Sequence, residues 1–370
     1  MSGSIYGKIF SISTWGESHG EGYGVVIDGC PAGLAIDEGL IQQYLNRRKP
    51  GRTKYSTPRK EEDKVRILSG VFEGKTTGTP ISMIVFNENQ RSSDYSEIAS
   101  YYRPGHADYT YDMKYGFRDY RGGGRSSGRE TISRVAAGAI AVSILKELGI
   151  QVYAYTKSIG PVTIDYHNCR REYSLNDPLC MPDPEASRKA EQYIMEKHEE
   201  QDSVGGVIEC IVTGMPPGIG EPVFDKLDAA LSKAVMSIGA VKGVEIGDGF
   251  LVAARTGSEN NDPFAYDNDK RLIKLTNHAG GILGGLSDGS EIIIRAAVKP
   301  TASIGKPQRT ANKNNENIEI KIVGRHDPII VPRAVVVVEA MTAITLVDFL
   351  FQGMTSQMDR IKDFYNRIRK

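Results

Sequence analysis

The chain has 370 residues, of which 40% are hydrophobic and 25% are charged, a composition that is typical of a soluble globular protein and argues against a disordered chain. At roughly 150 residues per domain, this length allows two domains or one large domain. The 46 basic and 46 acidic residues cancel, so no global field attracts nucleic acid or a membrane surface, and any anion site must be local.

The cysteines and the N-terminus bear on the cellular compartment. No apolar segment typical of a signal peptide occurs in the first ten residues, and no run approaches 18 apolar residues, so neither a leader nor a membrane span is expected. The cysteines lie far apart in sequence, which argues against a zinc ribbon or a disulfide framework and suits a reducing cytoplasm. They are Cys30, Cys169, Cys180 and Cys210.

The first motif along the chain is GESHG at residues 16–20. It matches G-x-S-x-G, the nucleophile elbow of α/β-hydrolases, which needs a strand before the serine and a helix after it. The following EGYGVVIDG is rich in glycine and then strand-like, so a serine hydrolase is a minor alternative. In the other interpretation, the glycine turn holds His19 where its imidazole can reach a ligand, unless this histidine is structural.

Two segments, 24–48 and 206–234, share one order of elements. Each predicts an apolar strand, a Gly-x-Pro-x-Gly turn and a helix. The correspondence continues with a further predicted strand after each segment, at 81–86 and at 292–298. We interpret the chain as two similar halves with antiparallel sheets, in an α+β fold rather than a doubly wound one. A chance match of two common units is the alternative.

Residues 47–60, RRKPGRTKYSTPRK, contain seven basic residues and no acidic one. The segment is either a solvated basic surface or a clamp for phosphate and carboxylate groups, which the fork of donors in arginine suits. Further along, RPGHAD at 103–108 places Arg103 and His106 close together. A histidine with a pKa near 6.5 can donate a proton to a leaving phosphate.

The strongest motif is RGGGRSSGRE at 121–130, before an amphipathic helix that ends at Gly149. Ser127 and Glu130 fit a capping box, which predicts that the helix begins here. Glycines and arginines at a helix start predict an anion site. The motif lacks Gly-Lys-Ser/Thr, which excludes a Walker A loop, and Ser127 breaks G-x-G-x-x-G, so a Rossmann dinucleotide site is unsupported.

The C-terminal half adds weaker signals. A surface excursion is predicted at about 165–203, where Asp183 can cap a helix that runs from Pro184 to about Glu200. The last twenty residues predict a helix with basic residues at its end. Alone, each of NHAGGILGG at 277–285, KPTAS at 299–303 and RHDP at 325–328 could be a turn. No set of His, Cys, Asp and Glu has metal-ligand spacing, so no metal is predicted.

Together, the motifs GESHG, RPGHADYTY, RGGGRSSGRE, NHAGGILGG, KPT and GRHDP, in this order, resemble the chorismate synthase family over essentially the whole chain. The resemblance implies a carbon–oxygen lyase of the shikimate pathway of aromatic amino acid biosynthesis. Its reaction would be the 1,4-anti elimination of phosphate from 5-enolpyruvylshikimate 3-phosphate, which gives chorismate. A non-enzymatic protein that binds flavin or another anion is the competing class.

The resemblance also implies a fold, a cofactor and partners. The fold would be a single-domain β-α-β sandwich with helices between two antiparallel sheets, assembled as a homotetramer. Reduced FMN would be required although the reaction is redox neutral. The family is further associated with FAD and NADP, but no nicotinamide fingerprint is visible, so we expect an outside reductant, with NADPH acting only indirectly. Nucleic acid and membranes are not expected as partners.

Site residues follow from the resemblance one by one. His19 and His106 would be the active-site histidines, one protonating the departing phosphate and the other acting near the flavin. Asp327 would help to take a proton from the central-ring nitrogen of the flavin. That nitrogen would receive the proton from the substrate after transient electron donation. The expected FMN-binding residues are Arg125, Ser126, Ser127, Gly239, Ala240, Gly284, Lys299, Pro300, Thr301, Ala302, Ser303 and Arg325. Those expected to bind substrate, or NADP, are Arg48, Lys54, Arg103 and Arg129.

Two positions depart from the family pattern. Lys54 stands where members often carry arginine, and lysine keeps the charge but loses the fork of donors. Gly239 precedes Ala240 where a polar residue is common, so a side-chain contact to the flavin would be lost there.

Overall fold

The structure is a computed structural model that describes residues 3–51, 62–87, 97–322 and 327–368. Lys54 and Arg325 therefore lie outside the described residues. The strands are β1 (Ile5–Tyr6), β2 (Ser11–Gly16), β3 (Gly22–Asp28), β4 (Val65–Ser69), β5 (Val71–Phe72), β6 (Lys75–Thr76), β7 (Ile81–Phe86), β8 (Gln151–Ile159), β9 (Val162–Thr163), β10 (Gly206–Thr213), β11 (Val241–Ile246), β12 (Phe264–Tyr266), β13 (Leu272–Lys274), β14 (Ile282–Leu283), β15 (Leu286–Ser287), β16 (Ile292–Val298), β17 (Gln308–Ala311) and β18 (Asn317–Ile320). The helices are α1 (Glu38–Arg48), α2 (Asp108–Tyr115), α3 (Thr131–Glu147), α4 (Arg171–Asn176), α5 (Pro184–Glu199), α6 (Leu227–Met236), α7 (Gly257–Asn260), α8 (Val331–Gln352) and α9 (Met358–Ile368).

Two five-stranded antiparallel sheets form the outer layers. The N-terminal sheet has the order β1-β2-β3-β7-β4, and the C-terminal sheet, taken from its β9 edge, has the order β9-β8-β10-β16-β11. Strands β3 and β10, β7 and β16, and β4 and β11 thus hold equivalent positions. Both β4 and β11 carry a β-bulge against their neighbour. The predicted pair of similar halves and the antiparallel α+β class are confirmed.

Helices fill the space between the sheets. The helices α3 and α8 pack against each other, α3 also contacts β2, β3 and β7, and α8 contacts β8 and β10. They approach closely at Gly138, where an added Cβ would lie 2.3 Å from the Cβ of Ala340. Glycine at this position lets the two helix backbones come together. The result is the β-α-β sandwich that the sequence resemblance implied.

The segment Val331–Thr355, which contains α8, is long and apolar enough to cross a membrane, but 83% of its most apolar window is buried inside the protein. Its carboxylates have partners on other elements. Glu339 accepts hydrogen bonds from two α1 side chains, and Asp348 accepts three from backbone N–H groups between β1 and β2. These contacts make α8 the central helix of the core. No other helix of the described residues passes the same length and hydropathy test.

Two predicted helices are confirmed. The side chain of Asp183 accepts hydrogen bonds from the N–H groups of Glu185 and Ala186, and α5 follows with Pro184 in its first turn. Near the C-terminus, α9 covers most of the predicted terminal helix and is exposed along its length.

Candidate active site

The turn between β2 and β3 carries GESHG and packs against the RGGGRSSGRE loop. Gly124 donates a backbone hydrogen bond to Ser18 Oγ at 3.2 Å, and Ser18 Oγ lies 3.2 Å from His19 Nδ1. Gly122 has φ +146°, and a Cβ there would lie 2.7 Å from the His19 ring. Because β3 follows the motif instead of a helix, the nucleophile elbow is not formed, and the hydrolase alternative loses its structural requirement.

We call residues 121–130, which carry RGGGRSSGRE, the glycine–arginine loop. Arg125 connects this loop to the N-terminal sheet. Its Nη1 donates to the Gly16 carbonyl at 3.1 Å, and its Nη2 donates to Thr14 Oγ1 at 2.8 Å. The Ser126 hydroxyl donates to the Gly123 carbonyl at 2.6 Å. These contacts hold the loop in shape, with Ser126 exposed on it.

The helix start at this loop differs in one respect from the prediction. A 3-10 turn, Gly128–Glu130, leads into α3, and the Ser127 side chain accepts a hydrogen bond from the Arg129 N–H. The predicted capping box is wrong, because the Glu130 carboxylate pairs with Arg134 one helical turn further on, at 3.0 Å. The ion pair with Arg134 replaces a reciprocal bond to the Ser127 backbone.

A cluster of three arginines, two of them buried, lies where α1, the start of α3 and the start of α8 meet. We call Arg48, Arg129 and Arg333 the arginine cluster. Asp63 bridges two of them, with Oδ2 3.4 Å from Arg48 Nη1 and Oδ1 3.2 Å from Arg129 Nη2. Arg333 donates to the backbone carbonyl of Arg48 at 3.2 Å and pairs with Asp327 at 2.5 Å. Three predicted site residues, Arg48, Arg129 and Asp327, are thus brought together.

Arg48 is the most deeply buried member, with 1% of its surface exposed. Burial and the neighbouring charge of Arg333 lower its pKa to about 10. Its Nη2 is buried and has no hydrogen-bond partner among the residues that the structure describes. A buried cationic donor without a partner carries a desolvation cost, which an incoming anion would offset.

The proton on His106 can be assigned from its neighbours. Nδ1 lies 2.9 Å from the Pro104 carbonyl, which can only accept, so Nδ1 carries the proton. In the neutral ring Nε2 then accepts from Ser303 Oγ at 3.0 Å. Burial, followed by the charge of Arg103, lowers the pKa of His106 below 6.5. A buried site beside a cation disfavours the imidazolium, so proton donation by His106 to the departing phosphate stays a prediction.

Arg103 is held in an internal ion pair. Its Nε and Nη2 donate to the two oxygens of Asp108 at 2.8 and 2.7 Å. Burial alone would raise the pKa of Asp108, but hydrogen bonds and charge from Arg103 lower it overall. In this arrangement Arg103 acts on His106 as a nearby charge, and its predicted contact with substrate stays a prediction.

The loop at 299–303 joins the His106 segment to the C-terminal sheet. Lys299 Nζ donates to the Gly105 carbonyl, and Lys299 N–H donates to the Ala240 carbonyl, both at 2.9 Å. The Thr301 carbonyl accepts from the Ser203 hydroxyl at 2.6 Å. Thr301 Oγ1 is buried and, within the described part of the chain, has no hydrogen-bond partner. The segments that carry most of the predicted FMN residues of the C-terminal half are thus in contact.

The same contacts lead on to the arginine cluster. Val204, next to Ser203, donates its N–H to the Pro328 carbonyl at 2.8 Å, and Pro328 follows Asp327. Gly284 lies apart from this chain of contacts. It occupies the turn between β14 and β15, whose Gly285 bonds to the first residue of α6, whereas Gly239 and Ala240 follow the other end of α6.

Sequence reasoning missed Asp63, Asn87, Tyr23 and Arg333. Asn87 Oδ1 accepts from Arg129 at 2.9 Å, and the Tyr23 ring lies 5.7 Å from the Arg129 guanidinium. Burial raises the pKa of Tyr23 to about 12. None of these residues stands in a recognisable motif, so only their shared contacts with Arg48 and Arg129 identify them. Across the described residues, no group of three His, Cys, Asp or Glu side chains could hold a metal ion.

Comparison with known proteins agrees with this geometry. A family model described as chorismate synthase matches residues 10–351. A chorismate synthase of Lachnoclostridium phytofermentans is 71% identical over 367 residues, covering 99% of this chain and all of its own. One from Methanococcoides burtonii is 55% identical, covering 95% of this chain and 97% of its own. A solved crystal structure of chorismate synthase superposes with a TM-score of 0.77 at 31% identity, covering 98% of both chains. The chain belongs to the chorismate synthase family.

Proposed function

We propose that the chain catalyses the 1,4-anti elimination of phosphate from 5-enolpyruvylshikimate 3-phosphate to give chorismate, and that it requires reduced FMN. Family membership makes the chain an enzyme of the carbon–oxygen lyase class with a small-molecule substrate. The observation that carries the proposal is the buried Nη2 of Arg48, which has no hydrogen-bond partner among the described residues and lies in the arginine cluster. A substrate with one phosphate and two carboxylates needs such a cluster.

The residues present fit FMN. Lys299 offers a cation, Thr301 offers a buried hydroxyl without a described partner, and the glycine–arginine loop offers the Ser126 hydroxyl at a helix start. When bound, reduced FMN supplies an electron transiently to the substrate and recovers it. NADPH enters this proposal only as an indirect source of reducing equivalents.

The histidines divide the proton chemistry. His106, with Nδ1 donating to the Pro104 carbonyl and Nε2 accepting from Ser303, would act near the flavin, while the single proton that leaves the substrate would pass to Asp327. His19 then protonates the departing phosphate from its place beside the glycine–arginine loop. Asp327, oriented by Arg333, completes the set as a proton acceptor near the flavin.

An anaerobic assay tests the reaction. With reduced FMN supplied, we expect chorismate and phosphate in equal amounts and no net oxidation of flavin. Oxidised FMN is the control and should give no product. Absence of chorismate with reduced FMN contradicts the proposal, and flavin consumed one-for-one with product indicates an ordinary flavin oxidoreductase instead.

Flavin binding is tested separately. We expect FMN to bind more tightly when substrate is present, because both ligands approach the same connected set of loops. The flavin spectrum during titration, with and without substrate, provides the measurement. No binding under either condition contradicts the cofactor assignment.

We further propose a cytoplasmic homotetramer. The four free cysteines suit a reducing compartment. Phe250 and Leu251 are 84% and 63% exposed, and the hairpin β12–β13, which follows in sequence, exposes Phe264, Tyr266 and Leu272. Apolar side chains exposed together are typical of a surface that a second copy covers. Sedimentation velocity should give a tetramer, and Phe250→Asp should lower the mass; a monomeric wild type contradicts the assembly.

A further inference from the structure

We infer that Asp63 is a positioning residue that holds Arg48 and Arg129 in the orientation in which they receive the anionic substrate. The inference rests on the proposed function, which places the substrate at these arginines. One oxygen of the Asp63 carboxylate faces each guanidinium, at 3.4 and 3.2 Å. The Asp63 side chain is 1% exposed, so solvent does not compete for these contacts.

The backbone delivers Asp63 to a fixed point. Its φ is +46°, a left-handed conformation that costs energy for residues other than glycine and that aspartate tolerates better than most. Gln42 on α1 holds the segment: its Nε2 donates to the Asp63 carbonyl at 3.3 Å, and its Oε1 accepts from Val65 N–H at 3.2 Å. An unfavourable conformation retained beside a functional cluster points to a functional demand.

The two contacts are long for ion pairs. Charge-assisted bonds usually measure about 2.7–2.9 Å, the range in which Asp108 binds Arg103. A single Asp63 carboxylate is shared by two cations, so neither is fully compensated. The shared contact fixes the spacing of Arg48 and Arg129 while leaving Arg48 Nη2 available for an anion.

Loss of Asp63 should affect Arg48 more than Arg129. Arg129 keeps Asn87 and the Tyr23 ring as further contacts. Arg48 would lose the nearer of the two carboxylates that favour its charged form, keeping Glu130, while Arg333 still opposes it. Repulsion inside a poorly solvated site is strong. We therefore expect its guanidinium to shift away from the position that contacts substrate.

The test is Asp63→Asn, which keeps the shape of the side chain and removes its charge. Calorimetry with 5-enolpyruvylshikimate 3-phosphate in the absence of flavin should show Kd raised roughly tenfold or more, the scale of one charge-assisted hydrogen bond. KM should rise in parallel, while kcat changes by less than about threefold, because the inference places the non-reacting carboxylates of the substrate at these arginines. Unchanged Kd and KM overturn the inference.

Glu209→Gln is the matched control. The Glu209 side chain, on β10 of the C-terminal sheet, is 2% exposed and accepts hydrogen bonds from Tyr166 and Arg295. The Glu209→Gln variant should be less stable than the wild type but bind substrate with an unchanged Kd. A merely structural role for Asp63 would give the same result in Asp63→Asn. If Asp63→Asn does not fold, Asp63→Ser replaces it, because serine also removes the charge, and wild-type Kd in that variant overturns the inference.

Wild-type binding is measured first. If the wild type does not bind the substrate, the proposed function fails and the inference fails with it. If the wild type binds and Asp63→Asn binds equally well, the inference alone fails.

Discussion

The proton state of His106 shows how neighbouring side chains set the chemistry of one residue. Nδ1 is committed to the Pro104 carbonyl, and Nε2 faces the Ser303 hydroxyl. Burial and Arg103 then disfavour the charged ring. The RPGHAD motif contains the imidazole, Arg103 and Pro104, but not Ser303, which lies 197 residues further along the chain.

The lowered pKa predicts a pH dependence of stability. Between the folded pKa of His106 and its unfolded value near 6.5, the unfolded chain binds more protons. This contribution is fully present above about pH 6.5 and is lost as the pH falls through the folded pKa. The free energies of unfolding of the wild type and of His106→Asn, measured with urea, should therefore differ more at pH 7.5 than at pH 5.5. An equal difference at both values would show that the ring titrates normally.

Kinetics separate the roles of His106 and Arg48. His106→Ala should lower kcat by roughly 10²–10⁴-fold, the usual contribution of a proton-transfer group. Arg48→Ala should mainly raise KM, because its contact with a carboxylate is present before and during the reaction. Steady-state kinetics with saturating reduced FMN provide the measurement.

Arg171→Ala, at an exposed site on α4, is the matched control for Arg48→Ala and should behave as wild type. Wild-type kcat in His106→Ala would remove its proton-transfer role. A fall of kcat in Arg48→Ala would indicate that it grips the departing phosphate.

At the scale of elements, the crossing of α3 and α8 depends on the missing side chain of Gly138. An added methyl group would meet Ala340 at 2.3 Å, and a contact that short forces the backbones apart. Gly138→Ala should therefore lower the free energy of unfolding by about 1–3 kcal/mol, the usual cost of overpacking a core. Urea unfolding provides the measurement.

The double variant Gly138→Ala with Ala340→Gly isolates this contact. It should recover part of the loss, because the opposing methyl group is gone. If the double variant loses as much free energy of unfolding as the two single variants together, a direct clash is contradicted.

At the scale of the whole molecule, the candidate site joins the two halves. His19, Arg48 and Arg129 come from the N-terminal half, and Lys299 and Asp327 come from the C-terminal half. Ligands that contact both should stabilise the folded chain, by about 2.7 kcal/mol at a concentration 100 times Kd. We expect FMN with substrate to raise Tm more than either ligand alone. No rise in Tm at saturating ligand would contradict a site shared by the halves.

The local sequence alone was sufficient to predict several elements. Alternating and helical patterns predicted the equivalent strands β7 and β16, and Asp183 with Pro184 predicted the start of α5. These predictions succeed because caps and periodicity depend on neighbouring residues in the chain. The motif set was sufficient to suggest the family. The same reasoning was wrong about the capping box, since Arg134 competes for Glu130.

Only the tertiary structure decided which charges meet. Arg48, Asp63, Arg129 and Arg333 are separated by up to 285 residues and touch because α1, α3 and α8 converge between the sheets. Their energetics depend on burial and on distances of a few ångströms, which no local pattern contains. The sequence by itself determined the elements and the residue types of the site. The packing of two similar sheets around shared helices determined the proton state of His106 and the position of Asp63 between two arginines.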